Sequence, residues 1–239
     1  MLVSMDGSAL LTGALWFGAF LFSTTVHEAM HALVAYRGGD ATAYHGGQVS
    51  LSPLPHIRRE PIGMLVVPLV TAFTLGWAVG WASTPYDPSW AARHPRRAAS
   101  MAAAGPAGNL LIAALAFGAL RLGLTLDVFS APARVNFHHL VDAANGSALV
   151  MAVGELLTVL LVLNMLLFVF NMLPVPPLDG ASAITGILPE RAAVLVRAVN
   201  AHPAVSMLGL LIAWRIFPRF ARPLFAAVLR LVHPGDIYF

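Results

Sequence analysis

The chain has 239 residues, 58% of them hydrophobic and only 10% charged, where an ordinary soluble domain carries about 25% charged residues. With a mean hydropathy of +0.76, this composition argues against both a soluble globular enzyme and a disordered chain, and for a protein embedded in a bilayer. The net charge of +3 comes from 14 basic residues, all arginine and in runs no longer than two, so no basic face for nucleic acid is expected.

There is no cysteine. A disulfide framework and a thiolate metal site are therefore excluded, and a bound metal would rely on histidine and carboxylate ligands.

A membrane-crossing helix needs roughly 20 mostly apolar residues. The first such stretch is 7–26, which runs directly into His27. It is too long for the apolar core of a cleaved leader and is expected to stay in the mature chain. Residues 38–60 follow, rich in glycine and proline, and within them 48–52 alternates polar and apolar side chains. That alternation predicts a short hairpin or edge strand. Residues 61–86, 98–120 and 156–178 contain no ionisable residue before Asp179 and predict three more spans, the last extended backwards past Glu155. A shorter stretch, 198–214, predicts a span or half-span. The tail 217–233 carries Arg219, Arg222 and Arg230 and predicts an amphipathic interfacial helix. Arginines lie on both sides of any topology, so charge assigns no orientation.

The expected fold is an all-α polytopic membrane protein with four to six transmembrane helices and a short β-hairpin or edge strand after the first. One domain covers 1–239, with a core over about 9–190 and C-terminal helices over about 191–239.

The chemistry begins at His27-Glu28-Ala29-Met30-His31. Histidines at i and i+4 stand on one helix face and can reach one metal ion. Glu28, next to the first ligand, is placed to take a proton from a water beside the metal. Ionisable groups at the end of an apolar span are costly and usually functional. A catalytic zinc wants a third protein ligand and an open position. The nearby acids are Glu155 and Asp179. Glu155 reads as a snorkelling or helix-pairing acid. Asp179 follows Pro174, Pro176 and Pro177, which must break the helix. Irregular backbone at membrane depth is tolerated against protein or a watery cavity, so Asp179 is expected to face a site; capping of the next helix is its plainer reading.

These residues, with Asn171-x-x-Pro174-x-x-Pro177-Leu178-Asp179-Gly180 and Gly105-Pro106-Ala107-Gly108-Asn109, resemble the site-2 protease family of intramembrane zinc metalloproteases. The stretches around Ser50–Ile57 and Gly76–Ala82 are similar to the small prokaryotic members without PDZ or CBS domains. The resemblance implies one Zn2+ per chain, held by His27, His31 and Asp179, with Glu28 as general base and acid. It implies that Asn171, Pro174 and Pro177 help receive an extended substrate, and that Gly105, Pro106 and Asn109 support the site. His56 is a candidate gate over the metal, or a hydrogen-bonded loop residue. The implied partners are a transmembrane protein substrate and the lipid bilayer of a prokaryotic cell, with a homo-oligomer left open.

Two other functions are compatible with intramembrane histidines and an aspartate: a non-catalytic scaffold of the same fold that binds membrane helices, and a metal transporter. A carrier needs no base beside its ligands and commonly shows a repeat in its halves, and this chain has Glu28 and no repeat. One topological conflict stands. The motifs share a side if spans one, three and four run down, up and down, but a full crossing by 61–86 breaks that parity. Either 61–86 is re-entrant or the site lies near mid-depth.

Overall fold

A computed structural model describes residues 7–200 and 202–235. Among the described residues three helices are long and apolar enough to cross a bilayer, and they form the body of the molecule. Helix α1 spans Gly7–Arg37, α6 spans Pro95–Thr125 and α7 spans Ala148–Asn171. At 1.5 Å per residue a 31-residue helix is about 46 Å long, more than the roughly 30 Å of hydrocarbon. Helix α6 lies between α1 and α7 and touches both along their length. Between α1, α7 and the short helix α4 (Ile62–Leu75), Trp16, Phe20, Ala72, Val159 and Leu163 form a buried cluster.

The 61–86 stretch resolves the parity conflict. Only Ile62–Leu75 is helical, opening with a π turn at Ile62–Val66 and continuing as Val67–Leu75. This helix, α4, is about 21 Å long and falls short of a crossing. Gly76 then takes a left-handed φ of 74°, a conformation glycine adopts without penalty. Beyond it the chain returns extended. The Trp81 N–H donates to the Gly63 carbonyl at 3.1 Å, and the Val79 N–H donates to the Thr71 hydroxyl at 2.9 Å. A Cβ on Gly80 would strike the Gly63 carbonyl and lie 2.6 Å from the Pro68 ring, so the two limbs pack at a distance only glycine permits. The segment is a re-entrant helix and strap, not a span.

The strand expected after the first helix is not formed. The segment holds two short helices, α2 (Thr42–His45) and α3 (Pro53–Arg59). Residues 48–52 are irregular, because Ser52 accepts from the Leu54 N–H and Pro53 starts a helix where a ladder would need a donor. Among the described residues the sheet has two strands, between α6 and α7: β1 (Phe129–Ser130) pairs antiparallel with β2 (Asp142–Ala143).

A short helix, α5 (Pro88–Arg93), leads from the strap into α6, and α8 (Asp179–Ala183) follows the proline-rich turn. The C-terminal part forms α9 (Glu190–Asn200), α10 (Pro203–Ile216) and α11 (Pro218–Val232). Helices α9 and α10 meet at 91° and count as a fourth crossing only if taken as one bent span. Among the described residues the span count is therefore three, one below the expected four to six, or four, its low edge, with that pair. Helix α11 is amphipathic as expected, but its apolar side is engaged. Val228, Leu229 and Val232 pack with Leu120, Leu161 and Val162, and Arg121 donates to the Val232 carbonyl at 2.7 Å.

Candidate metal centre

His27 and His31 lie one turn apart near the C-terminal end of α1, and both are buried. Asp179 reaches them from beyond the end of α7, far along the chain. Helix α7 ends at Asn171, and the chain turns through Pro174, Pro176 and Pro177, with a cis bond between the last two. Gly180 lets that turn fold back on the end of α7, since a Cβ there would overlap the Met172 carbonyl and lie 2.6 Å from that of Leu173.

His27 Nε2 is 3.0 Å from His31 Nε2, 3.1 Å from Asp179 Oδ2, and the third edge, from His31 Nε2 to that oxygen, is 3.4 Å. Tetrahedral ligands with bonds of about 2.0–2.1 Å stand about 3.3 Å apart. The triangle therefore fits a zinc-sized cation.

The hydrogen bonds behind the triangle point to the same conclusion. His31 Nδ1 lies 2.7 Å from the Met101 carbonyl, which can only accept. His27 Nδ1 lies 2.6 Å from Asn109 Oδ1. The Asn109 amide is oriented by its other end, which donates to Asn164 Oδ1 at 2.8 Å, while Asn164 Nδ2 donates to the Ser23 hydroxyl at 2.8 Å. Both rings thus carry their proton on Nδ1 and turn Nε2 lone pairs toward each other and toward a carboxylate. Three converging lone-pair donors, largely shielded from water, are a cation site.

Gly105 makes this approach possible. A Cβ there would lie 2.6 Å from His27 Nε2 and closer still to His31 Nε2. Pro106 is buried inside α6 beside it. Glu28 is 5% exposed, and its Oε2 accepts the Thr84 hydroxyl at 2.7 Å.

The sequence-derived residues divide as follows. His27, His31 and Asp179 converge, and they form the one group of three or more metal-ligating side chains found among the described residues. Glu28 follows His27 on the same helix, and Asn109 and Gly105 pack against the histidines. Asn171 donates to the Leu167 carbonyl of its own helix at 3.0 Å, and Pro174 and Pro177 are exposed on the turn. His56 is 1% exposed and lies outside the cluster. Its Nε2 sits 3.1 Å from the Ser50 carbonyl, so its ring braces the 48–56 segment. Glu155 sits in the opening part of α7, away from the Asn171 end, and is not in the cluster.

Sequence reasoning missed Ser23, Thr84, the Met101 carbonyl and Asn164. Asn164 had a usable signal, as a lone amide in the middle of an apolar helix. Thr84 and a backbone carbonyl had none.

Residues 15–214 match the model of a family described as Peptidase family M50. The chain is also similar to "Putative zinc metalloprotease YwhC" of Bacillus subtilis (strain 168), with 32% identity over 170 residues, covering 71% of this chain and 67% of that protein. No solved structure matches it.

Proposed function

The chain belongs to peptidase family M50, the site-2 proteases, and from that premise we propose that it is a zinc-dependent endopeptidase cleaving transmembrane segments of membrane protein substrates in a prokaryotic cell membrane. The observation that supports this most is the triangle of His27, His31 and Asp179, with the buried Glu28 directly after His27 on the same helix. The three ligands would hold one zinc ion. When bound, the metal would supply a Lewis acid for the scissile carbonyl and lower the pKa of a water to near 7.

The remaining work falls to the chain. Asn109 and the Met101 carbonyl fix the tautomer and tilt of the two rings. Glu28 accepts a proton from the attacking water as the new C–O bond forms. It then delivers that proton to the amine nitrogen as the C–N bond breaks. Its near-complete burial keeps bulk water from competing for the proton. A substrate helix hides its peptide groups in its own hydrogen bonds, so it must unwind locally before attack. Irregular backbone around Asn171, Pro174 and Pro177 would receive the unwound segment as an extended strand.

The test is Glu28→Gln. This variant should bind zinc as wild type does and lose cleavage of a membrane-embedded reporter by at least ~100-fold. Cleavage at the wild-type rate would overturn the mechanism.

A further inference from the structure

We propose that Thr84 is a positioning residue for the proposed base: its hydroxyl, carried on the re-entrant strap, holds the Glu28 carboxylate in the orientation that proton transfer requires. The inference rests on the reading of Glu28 as the base.

The Thr84 Oγ1 lies 2.7 Å from Glu28 Oε2 and 3.0 Å from the Glu28 carbonyl oxygen. The carbonyl and the carboxylate can only accept, so the hydroxyl donates and its single proton is shared between them. The bond engages Oε2 and leaves Oε1 for the travelling proton. A glutamate side chain has three rotatable bonds, and a catalytic group displaced by about 1 Å can lose around 100-fold in rate. Among the described residues, Thr84 makes the one side-chain hydrogen bond to this carboxylate.

The sequence explains how Thr84 is presented. Pro85 follows it, and a residue before proline is pushed to extended backbone. The strap is also held on both sides of Thr84 by bonds independent of it. The Gln48 amide donates to the Ser83 carbonyl at 3.1 Å, and the Ser83 hydroxyl donates to Glu60 at 2.6 Å. The Asp87 N–H donates to Asp40 at 2.8 Å, and the Trp81 N–H to Gly63 at 3.1 Å. Removing the Thr84 hydroxyl should therefore leave the strap in place and free only the carboxylate. Thr84 lies outside the metal triangle, so zinc binding should not change either.

The experiment compares wild type, Thr84→Val, Thr84→Ser, Ser83→Ala and Glu28→Gln in detergent. Zinc per chain, thermal midpoint, kcat and KM are measured on the tagged single-span reporter that wild type cleaves fastest, chosen from a set with Gly-Pro at successive positions in its helix. Expected for Thr84→Val is a kcat loss of about tenfold or more with KM within about twofold, and zinc content and midpoint unchanged. Thr84→Ser, which keeps the hydroxyl, should stay within about threefold of wild type, and so should Ser83→Ala. The proposal is overturned if Thr84→Val keeps wild-type kcat while Glu28→Gln is inactive. It is also overturned if Ser83→Ala loses as much as Thr84→Val, because strap placement alone would then explain the loss. Wild-type cleavage by Glu28→Gln would instead remove the reading of Glu28 on which the inference rests.

Discussion

Asn109 Oδ1 stands 2.6 Å from His27 Nδ1, joining α6 to α1 through a ligand's far nitrogen. The amide is fully buried and is itself held by Asn164, which reaches Ser23. One chain of polar contacts therefore ties α1, α6 and α7 together directly behind the metal ligands. Replacing Asn109 with Leu should free the His27 ring to rotate and to change tautomer. The expected result is zinc affinity lower by about 10–100-fold, read by competition with a chelator of known affinity. Unchanged affinity would mean that packing alone orients the ring.

Gly105 and Gly118 make a paired test on one helix. A Cβ at Gly105 would intrude on both histidine Nε2 atoms, whereas at Gly118 it would meet nothing within 4 Å. Gly105→Ala should lose zinc and activity together. Gly118→Ala should keep both, and could raise helix stability by up to about 1 kcal/mol. Zinc content and thermal midpoint of the two variants decide the matter. Equal behaviour of the two would contradict the close approach described for α6 and α1.

Much of this site was legible in the sequence because its chemistry is local. Histidines at i and i+4 define their own geometry on a helix, and three prolines before Asp179 force a break that must be lined by something. The strap was not legible. Residues 61–86 are mostly apolar and carry no Asp, Glu, Lys, Arg or His, and hydropathy does not distinguish a crossing from a helix that turns back. The turn depends on Gly76 and on the Gly63–Gly80 contact, which join residues far apart in sequence. The alternation at 48–52 misled for a related reason. Period-two patterning reports which side chains are buried and says nothing of whether a partner strand exists to complete the ladder. Thr84 and the Met101 carbonyl reach the site only through tertiary placement, and no spacing rule could have found them.

The loop between α6 and α7 carries a pH-dependent contact. The Trp16 indole N–H donates to His138 Nδ1, across from α1. Burial pushes the His138 imidazole below its ordinary value, while next to it in sequence His139 Nε2 lies 2.8 Å from Asp142 Oδ1. With its folded pKa below the unfolded value of about 6.5, the unfolded chain binds the proton more readily. The stability His138 contributes is therefore complete above that value and is lost as pH falls through it toward the folded pKa. His138→Gln keeps an acceptor for Trp16 and cannot titrate. Between pH 8 and pH 5 the thermal midpoint of wild type should fall further than that of His138→Gln. Parallel curves for the two proteins would show that His138 is not the group responsible.

Asp179 is the residue on which the assembly of the centre depends, because it joins the segment after α7 to the two histidines. Its Oδ2 lies 3.1 Å from one Nε2 and 3.4 Å from the other. Without that oxygen the histidines offer two ligands where a catalytic zinc takes three. Asp179→Ala should therefore weaken zinc binding by more than about 100-fold, since losing a ligand should cost more than losing one of its supports. Two controls separate this from general damage. Glu155→Gln removes the acid in the opening part of α7, and His56→Ala removes a buried ring bonded to Ser50 and outside the triangle. Both should retain about one zinc per chain, as wild type should, with His56→Ala showing a lower thermal midpoint because its brace is gone. Elemental analysis of the four purified proteins gives the answer. A full zinc complement in Asp179→Ala would dissolve the link between α1 and the segment after α7 and leave the histidines with a different third ligand.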